Sequence, residues 1–182
     1  MEQVLPKRFV IPSVVVSHFH IHPGDTVADL GAGNGYFLSE LVAAVGERGL
    51  VYACDIQRPL VESIGDQART YPDGVVCPLW GDLEAEQGTK IPTDAVDRAI
   101  VVNTLFQIED KEAAVKEIRR LVRPGGKVFV IDWTEPWGGL GPRADMVCTE
   151  QQASALFEQA AFVQEMTFPA GDHHYGLAFR NT

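Results

Sequence analysis

The stretch Asp29-Leu30-Gly31-Ala32-Gly33-Asn34-Gly35, set within VADLGAGNGYF (27–37), decides the fold. Ahead of it, residues 25–30 (DTVADL) form a short apolar run that reads as a strand. After it, Phe37, Leu38, Leu41, Val42 and Val45 recur on one helical stripe closed by Gly46. Strand, glycine loop and helix in that order open a βαβ unit. The glycines let the backbone approach a ligand closely, and a helix N-terminus aimed at that ligand favours a carboxylate or phosphate. The spacing is G-x-G-x-G rather than G-x-G-x-x-G, and Asp29 stands two residues before the first glycine. That extra negative charge disfavours a pyrophosphate, whereas a ligand carrying an ammonium or sulfonium tolerates it.

Outward from this loop the same alternation continues. Residues 50–54 read as a second buried strand ending in Asp55, followed by a helix over 58–69 stopped at Tyr71-Pro72-Asp73-Gly74. A third strand is expected over 74–79 and a fourth over 95–102. A helix starting near Asp110 carries Ala114, Val115, Ile118, Leu121 and Val122 on its apolar face and ends at Arg123-Pro124-Gly125-Gly126. The fifth strand is expected over 127–133, and a helix over 149–160 opens with Thr149 and Gln152 in a capping-box arrangement. Residues 162–168 and 174–180 read as a closing antiparallel hairpin around Pro169-Ala170-Gly171-Asp172. The fold class is therefore α/β, a doubly wound, mostly parallel sheet with helices on both faces, in a single domain over 1–182. Such a sheet carries its ligand in the crevice beyond the carboxyl ends of its strands.

Composition bounds the partners. The chain has 182 residues, 46% hydrophobic, enough for one sizeable core. Its formal charge is −10, from 15 Lys and Arg against 25 Asp and Glu, and no basic run tracks a phosphate backbone, so nucleic acid is a poor partner. Cys54, Cys77 and Cys148 are odd in number, far apart and outside any C-x-x-C pair, which fits a reducing, cytoplasmic setting rather than a disulfide framework or zinc ribbon. No apolar stretch approaches the roughly 18–20 residues that span a bilayer, and residues 1–7 lack a charged-then-apolar signal pattern.

Two more acids stand where a nucleoside would need them. Asp55 ends the second strand 20 residues after Gly35, the place from which a carboxylate accepts hydrogen bonds from both ribose hydroxyls, with Ile56 next to it. Gly81-Asp82-Leu83 follows the third strand, where a carboxylate can accept from an adenine amino group while the next backbone N–H meets the ring.

Together, VADLGAGNGYF (27–37), VYACD (51–55), GDLE (81–84), VDRAIVVNTLFQI (96–108) and EIRRLVRPGGKVFVIDW (117–133) resemble the class I S-adenosylmethionine-dependent methyltransferases. The likeness runs in the family's order over roughly residues 10–180. It implies a Rossmann-like, seven-stranded sheet whose last strand is inserted antiparallel, and S-adenosyl-L-methionine as cofactor with S-adenosyl-L-homocysteine as product. It also implies that Gly31, Ala32, Gly33 and Gly35 surround the methionine part of the cofactor, with Asp29 near its amino group. Asp55 would then hold the ribose, with Ile56 beside it also at the cofactor, Asp82 and Leu83 the adenine, and Asn103 the methionine portion. The chain departs from the pattern at Phe106-Gln107, where related small-molecule enzymes often carry histidine, so no catalytic residue is assigned there. The Asn-Pro-Pro-Tyr type motif of enzymes that methylate flipped bases is absent, since Asn103 precedes Thr104-Leu105-Phe106.

The expected reaction is an in-line displacement from sulfur to a nucleophilic O, N, C or S atom of a small-molecule acceptor, with alignment and exclusion of water as the main tasks. Residues 1–22 are expected to form a lid segment with a helix over 12–20, which would put His18 and His22 on one face. Residues 133–148, with Trp133, Trp137 and Arg143, read either as a substrate loop, an apolar pocket with an anion handle, or as a loop pinned by its own aromatics. The pocket would be completed by the lid and by a second subunit of a homodimer. His173-His174 is read as turn placement in the hairpin, and no metal site is indicated. Competing readings are a nicotinamide-dependent oxidoreductase, which shares the strand–loop–helix and downstream acid, an aminopropyl transferase, and a non-catalytic cofactor-binding subunit that supports a partner.

Overall fold

The chain begins at the centre of its sheet and winds outward twice. In the computed structural model, residues 10–137, 139 and 141–182 are described. Strands β1 (Thr26–Leu30), β2 (Leu50–Asp55), β3 (Val76–Trp80), β4 (Val96–Val102), β5 (Val122–Trp133), β6 (Phe162–Thr167) and β7 (His174–Asn181) form one sheet in the order β3-β2-β1-β4-β5-β7-β6. The pairs among β1 to β5 are parallel, and β7 lies antiparallel between β5 and β6. The hairpin is as the sequence pattern implies, and the inserted last strand is as the family resemblance implies. Because β1 continues to β2 on one side and the chain later re-enters at β4 on the other, the order reverses between β1 and β4. The ligand crevice of a doubly wound sheet lies at such a reversal.

Alternation along each strand builds two cores. Ala28, Leu30, Ala99, Val101, Val128 and Val130 face α4 (Lys111–Leu121) and α5 (Glu150–Gln159). Val27, Ala53, Ile100, Phe129 and Ile131 face α2 (Leu38–Val45) and the N-terminal segment, with Ile64 of α3 (Arg58–Ala68) in the same layer. Both faces are covered, which is why the central strands are almost continuously apolar. All five residues of the α2 stripe, Phe37 to Val45, are buried. Asp110 caps α4 by accepting from the Ala113 N–H, and Thr149 and Gln152 form the expected capping box on α5.

Two expectations change. Val122 leaves the helix: it caps α4 with extended backbone and pairs with Val96, and the next pairing in register is Arg98 with Lys127. The Arg123–Gly126 turn is thus an irregularity within a longer β5. The N-terminal helix α1 (Pro12–Val15) tightens into a 3₁₀ turn over Val16–Phe19 and stops at His20, which is left-handed at φ 48°. His18 and His22 therefore do not share a helical face. Phe19 anchors this segment by packing on Phe129 at 4.7 Å between ring centroids, and His18 stacks on Phe168. The first nine residues of the expected lid lie outside the described residues.

Candidate active site

Beyond the carboxyl ends of β1, β2 and β4 lies a cavity of about 190 Å³. Gly31, Gly33, Asp55, Ile56, Asp82 and Leu83 all line it, so the structure brings together six of the ten expected cofactor residues. The loop is held to the end of β2, because the Gly31 and Ala32 N–H groups both donate to the Cys54 carbonyl, at 2.9 and 3.0 Å. Gly31 is left-handed at φ 82°, and a Cβ there would lie 2.4 Å from the Thr104 hydroxyl oxygen. Only glycine lets β1 and β4 come this close at the reversal. At Gly33 a Cβ would meet nothing within 4 Å, so the space over the loop is open to a ligand.

The Asp55 carboxylate accepts from the N–H groups of Gly33 at 2.9 Å and Gln57 at 2.8 Å, tying the glycine loop to the start of α3. Ile56 beside it is 56% exposed despite being apolar, as expected of a residue facing a flat ligand. Asp82 accepts from the Glu84 N–H at 2.8 Å, which holds the GDLE turn with Leu83 against the cavity.

Asp29, 2% exposed, sits beneath the loop rather than on the cavity wall, and its Oδ2 has no hydrogen-bond partner among the described residues. Burial, and then the charge of Asp55, push its carboxyl up to about 7. A buried, unpartnered carboxylate under an open loop is matched by a ligand bearing positive charge. These features, with the paired Asp55 and Asp82, fit an adenosyl cofactor carrying an ammonium and a sulfonium.

Asn103 is placed elsewhere. It follows β4 with a left-handed backbone at φ 53° and lines a second cavity, of about 400 Å³, with its Oδ1 buried and unpartnered among the described residues. The other walls of this cavity are Val10, Tyr36, Phe37 and Val102, then Trp133, Gly141 and His174. Ala32 and Gly35 support the loop without lining either cavity.

Of the expected substrate loop, Trp133 reaches the second cavity, with Gly141 close against its ring. Arg143 does not serve as an anion handle there: its exposed guanidinium pairs with Asp145. Trp137 stacks on His173, whose Nδ1 lies 3.1 Å from Glu135. His173 lies in the turn, and His174 starts the strand expected over 174–180. It opens β7 in register with Trp133, is 7% exposed, and its ring lies 4.3 Å from the Trp133 ring.

Sequence reasoning missed Gln57, Leu60, Thr104, Gln107 and Ile108 on the first cavity. Gln57 and Leu60 follow Asp55 closely and were within reach of that motif. Gln107 and Ile108 arrive through a 3₁₀ turn over Leu105–Gln107, held down by the buried Asp132, which accepts from the Phe106 N–H. Burial pushes the Asp132 carboxyl up to about 6, against the lowering effect of these backbone donors. Among the described residues no group of three or more His, Cys, Asp or Glu is placed to hold a metal ion.

A family model described as a methyltransferase domain matches residues 28–130, more than half of the chain. The ubiquinone/menaquinone biosynthesis C-methyltransferase of Chromobacterium violaceum is 30% identical over 125 residues, 69% of this chain and 50% of that protein. The chain thus spans about half the length of the curated relatives it matches. A solved S-adenosylmethionine-dependent methyltransferase from Aquifex aeolicus superposes with a TM-score of 0.86 at 24% identity, covering 96% of this chain and 91% of the other. The geranyl diphosphate C-methyltransferase of Streptomyces coelicolor, solved with S-adenosyl-L-homocysteine, gives 0.77 at 11% identity, covering 94% and 78%. With the glycine loop, the acidic strand ends and the inserted antiparallel strand in place, the chain belongs to the class I S-adenosylmethionine-dependent methyltransferase family.

Proposed function

We propose that this protein transfers the methyl group of S-adenosyl-L-methionine to a small-molecule acceptor. The observation that carries the reading is the first cavity, where the glycine loop, Asp55, Ile56, Asp82 and Leu83 meet within a matched methyltransferase domain. Bound there, the cofactor supplies an activated methyl on a sulfonium. Gly31 and Gly33 cradle its methionine part with Ala32 and Gly35 supporting the loop behind them, and Asp29 beneath complements its positive charge. Asp55 accepts from the ribose hydroxyls, Ile56 covers the adenine, and Asp82 with the Leu83 N–H reads its edge. Asn103, at the end of β4, stands between cofactor and acceptor. The chain's own work is alignment and exclusion of water.

The carbon-methylating relatives support carbon as the acceptor atom. Residues 10–22 of the lid segment and the loop 133–148 border the acceptor, Val10, Trp133 and Gly141 being their points of contact with the second cavity. No helix among the described residues is long and apolar enough to cross a membrane, and the three cysteines are free thiols, which supports a cytoplasmic location. A homodimer completes the reading, supported by the exposed Val163 and Met166 on edge strand β6.

Calorimetric titration with S-adenosyl-L-homocysteine, alongside NADH and NAD⁺, tests the cofactor. Micromolar binding of the first alone is expected. Binding of a nicotinamide cofactor instead would overturn the assignment in favour of an oxidoreductase, and cofactor binding with no turnover across a broad acceptor panel would favour a non-catalytic subunit.

A further inference from the structure

On α4 a carboxylate is buried among apolar side chains. Glu117 is 4% exposed, and the other buried residues of that helix, Ala114, Val115, Ile118 and Leu121, belong to the core. Its two oxygens accept from Arg120 Nη2 and Nε, both at 2.8 Å, and Arg120 donates onward to the Ile91 carbonyl at 2.9 Å and the Thr93 hydroxyl at 3.1 Å. Burial raises the Glu117 carboxyl, but the hydrogen bonds from Arg120 and Thr89 outweigh it and hold the group below its ordinary value, so it is ionised near pH 7. Replacing a buried ion pair by apolar residues is often neutral or stabilising, so stability alone is a weak reason to keep one.

The pair grips one loop. Glu117 accepts from the Gln87 N–H at 3.2 Å, the Thr89 N–H at 3.3 Å and the Thr89 hydroxyl at 2.6 Å. Between those two residues lies Gly88, whose carbonyl accepts from the Asp82 N–H at 3.1 Å. The packing here is close: a Cβ on Gly88 would lie 2.3 Å from the Asp82 carbonyl oxygen, and one on Gly81 would lie 2.7 Å from the Thr89 Cα. The backbone on both sides of Asp82 therefore rests on the residues that Glu117 holds. Gln87 and Lys90 are left-handed, at φ 54° and 62°, a conformation that non-glycine residues keep only where surrounding contacts impose it.

Resting on the reading of Asp82 and Leu83 as the adenine contacts, we propose that Glu117 is a positioning residue for the cofactor, fixing the Asp82–Leu83 backbone through Gln87, Gly88 and Thr89. Glu117 does not line the first cavity and acts only through this loop. A hydrogen-bonding edge discriminates between bases only while its donor and acceptor are held in place. Loosening the loop thus costs selectivity for the base rather than binding of the whole ligand.

The test uses the full chain and competition calorimetry with S-adenosyl-L-homocysteine and S-inosyl-L-homocysteine, which carries an oxygen where adenine has its amino group. The parent is expected to prefer the adenosyl ligand at least about tenfold. Glu117→Gln keeps the shape and removes the charge that Arg120 pairs, and is expected to bring the preference to within about threefold by weakening the adenosyl ligand alone. Thr89→Val leaves the ion pair intact and removes only the hydroxyl bond, so it should lose about two- to threefold of the preference. Thermal melts establish that each variant is folded at the temperature of titration, and Thr89→Val decides alone should Glu117→Gln not fold. An undiminished preference in Thr89→Val or in folded Glu117→Gln, or equal weakening of both ligands, overturns the proposal with the cofactor reading intact. A parent that binds both ligands alike overturns the adenine contacts and this proposal with them, and failure of S-adenosyl-L-homocysteine to bind overturns the cofactor reading itself.

Discussion

The two cavities flanking the end of β4 differ in nearly every property that decides what they hold. The first is lined by glycines and carboxylates and rests on the buried Asp29, whereas the second is lined by aromatics with no charged residue among those described. The proposed reading places the cofactor in the first, and the second adjoins it at the end of β4. The contrast is one of lining: carboxylates and glycine backbone on one side of the end of β4, and aromatic surface on the other.

The sharpest way to break this contrast is at the shared wall. Gly31→Ala places a Cβ into Thr104 at a left-handed φ of 82°, and should lower stability by about 2–4 kcal/mol and cofactor affinity by about a hundredfold or more. Thermal melts and calorimetry read both, and a midpoint within about 2 °C of the parent would refute the close approach of β1 and β4.

Asp55→Ala removes the acceptor for the Gly33 and Gln57 N–H groups and, on the proposed reading, for the ribose. It should weaken S-adenosyl-L-homocysteine by about 1.5–3 kcal/mol, roughly ten- to a hundredfold, without altering binding in the aromatic cavity. Unchanged calorimetric affinity would remove Asp55 from the cofactor site.

Asp29 sharpens the comparison through pH. Its folded pKa, pushed up to about 7, lies above its ordinary value of 3.8, so the native state holds more protons than the unfolded chain between the two. The ligand-free protein should therefore lose this contribution to stability as pH rises through that window, and hold constant above it. Binding of the cationic methyl donor should strengthen over the same rise, because ionised Asp29 attracts it. Asp29→Asn should flatten the pH dependence of affinity between about pH 5.5 and 7.5 and raise the ligand-free thermal midpoint near pH 8 by a few degrees, about 1 kcal/mol or more. A steep dependence surviving in the variant would place the titrating group elsewhere.

The smallest effect is expected at Ile56→Ser. The side chain is exposed, so stability should stay within about 0.5 kcal/mol, while adenine contact is lost and S-adenosyl-L-homocysteine weakens about two- to fivefold.

Much of the fold was legible because it rests on local regularities. The strand–loop–helix around Gly31 follows from spacing alone, as does the α2 stripe, and the Thr149 capping box is a four-residue signal. The site was legible on the cofactor side for the same reason: Asp55 and Asp82 each end a strand, and a strand end is where the sheet offers its residues to a ligand. Val122 was misassigned because its apolar phase suits both the end of α4 and the first pairing of β5, and only the contact with Val96 separates them. The strand opening at His174 was legible, but its burial against Trp133 was not, because that depends on the register of β7 with β5.

By itself, then, the sequence determined the sheet, its order of elements and the acidic glycine-loop cavity, since these depend on periodicity and on neighbours within a few residues. The tertiary structure alone decided the second cavity. Val10, Tyr36, Asn103, Trp133 and His174 come from five distant segments, and no spacing along the chain relates them. Only packing of the N-terminal segment, the ends of β4 and β5 and the antiparallel β7 removes water from these side chains together, and that shared burial leaves the Asn103 Oδ1 and both His174 ring nitrogens without partners among the described residues.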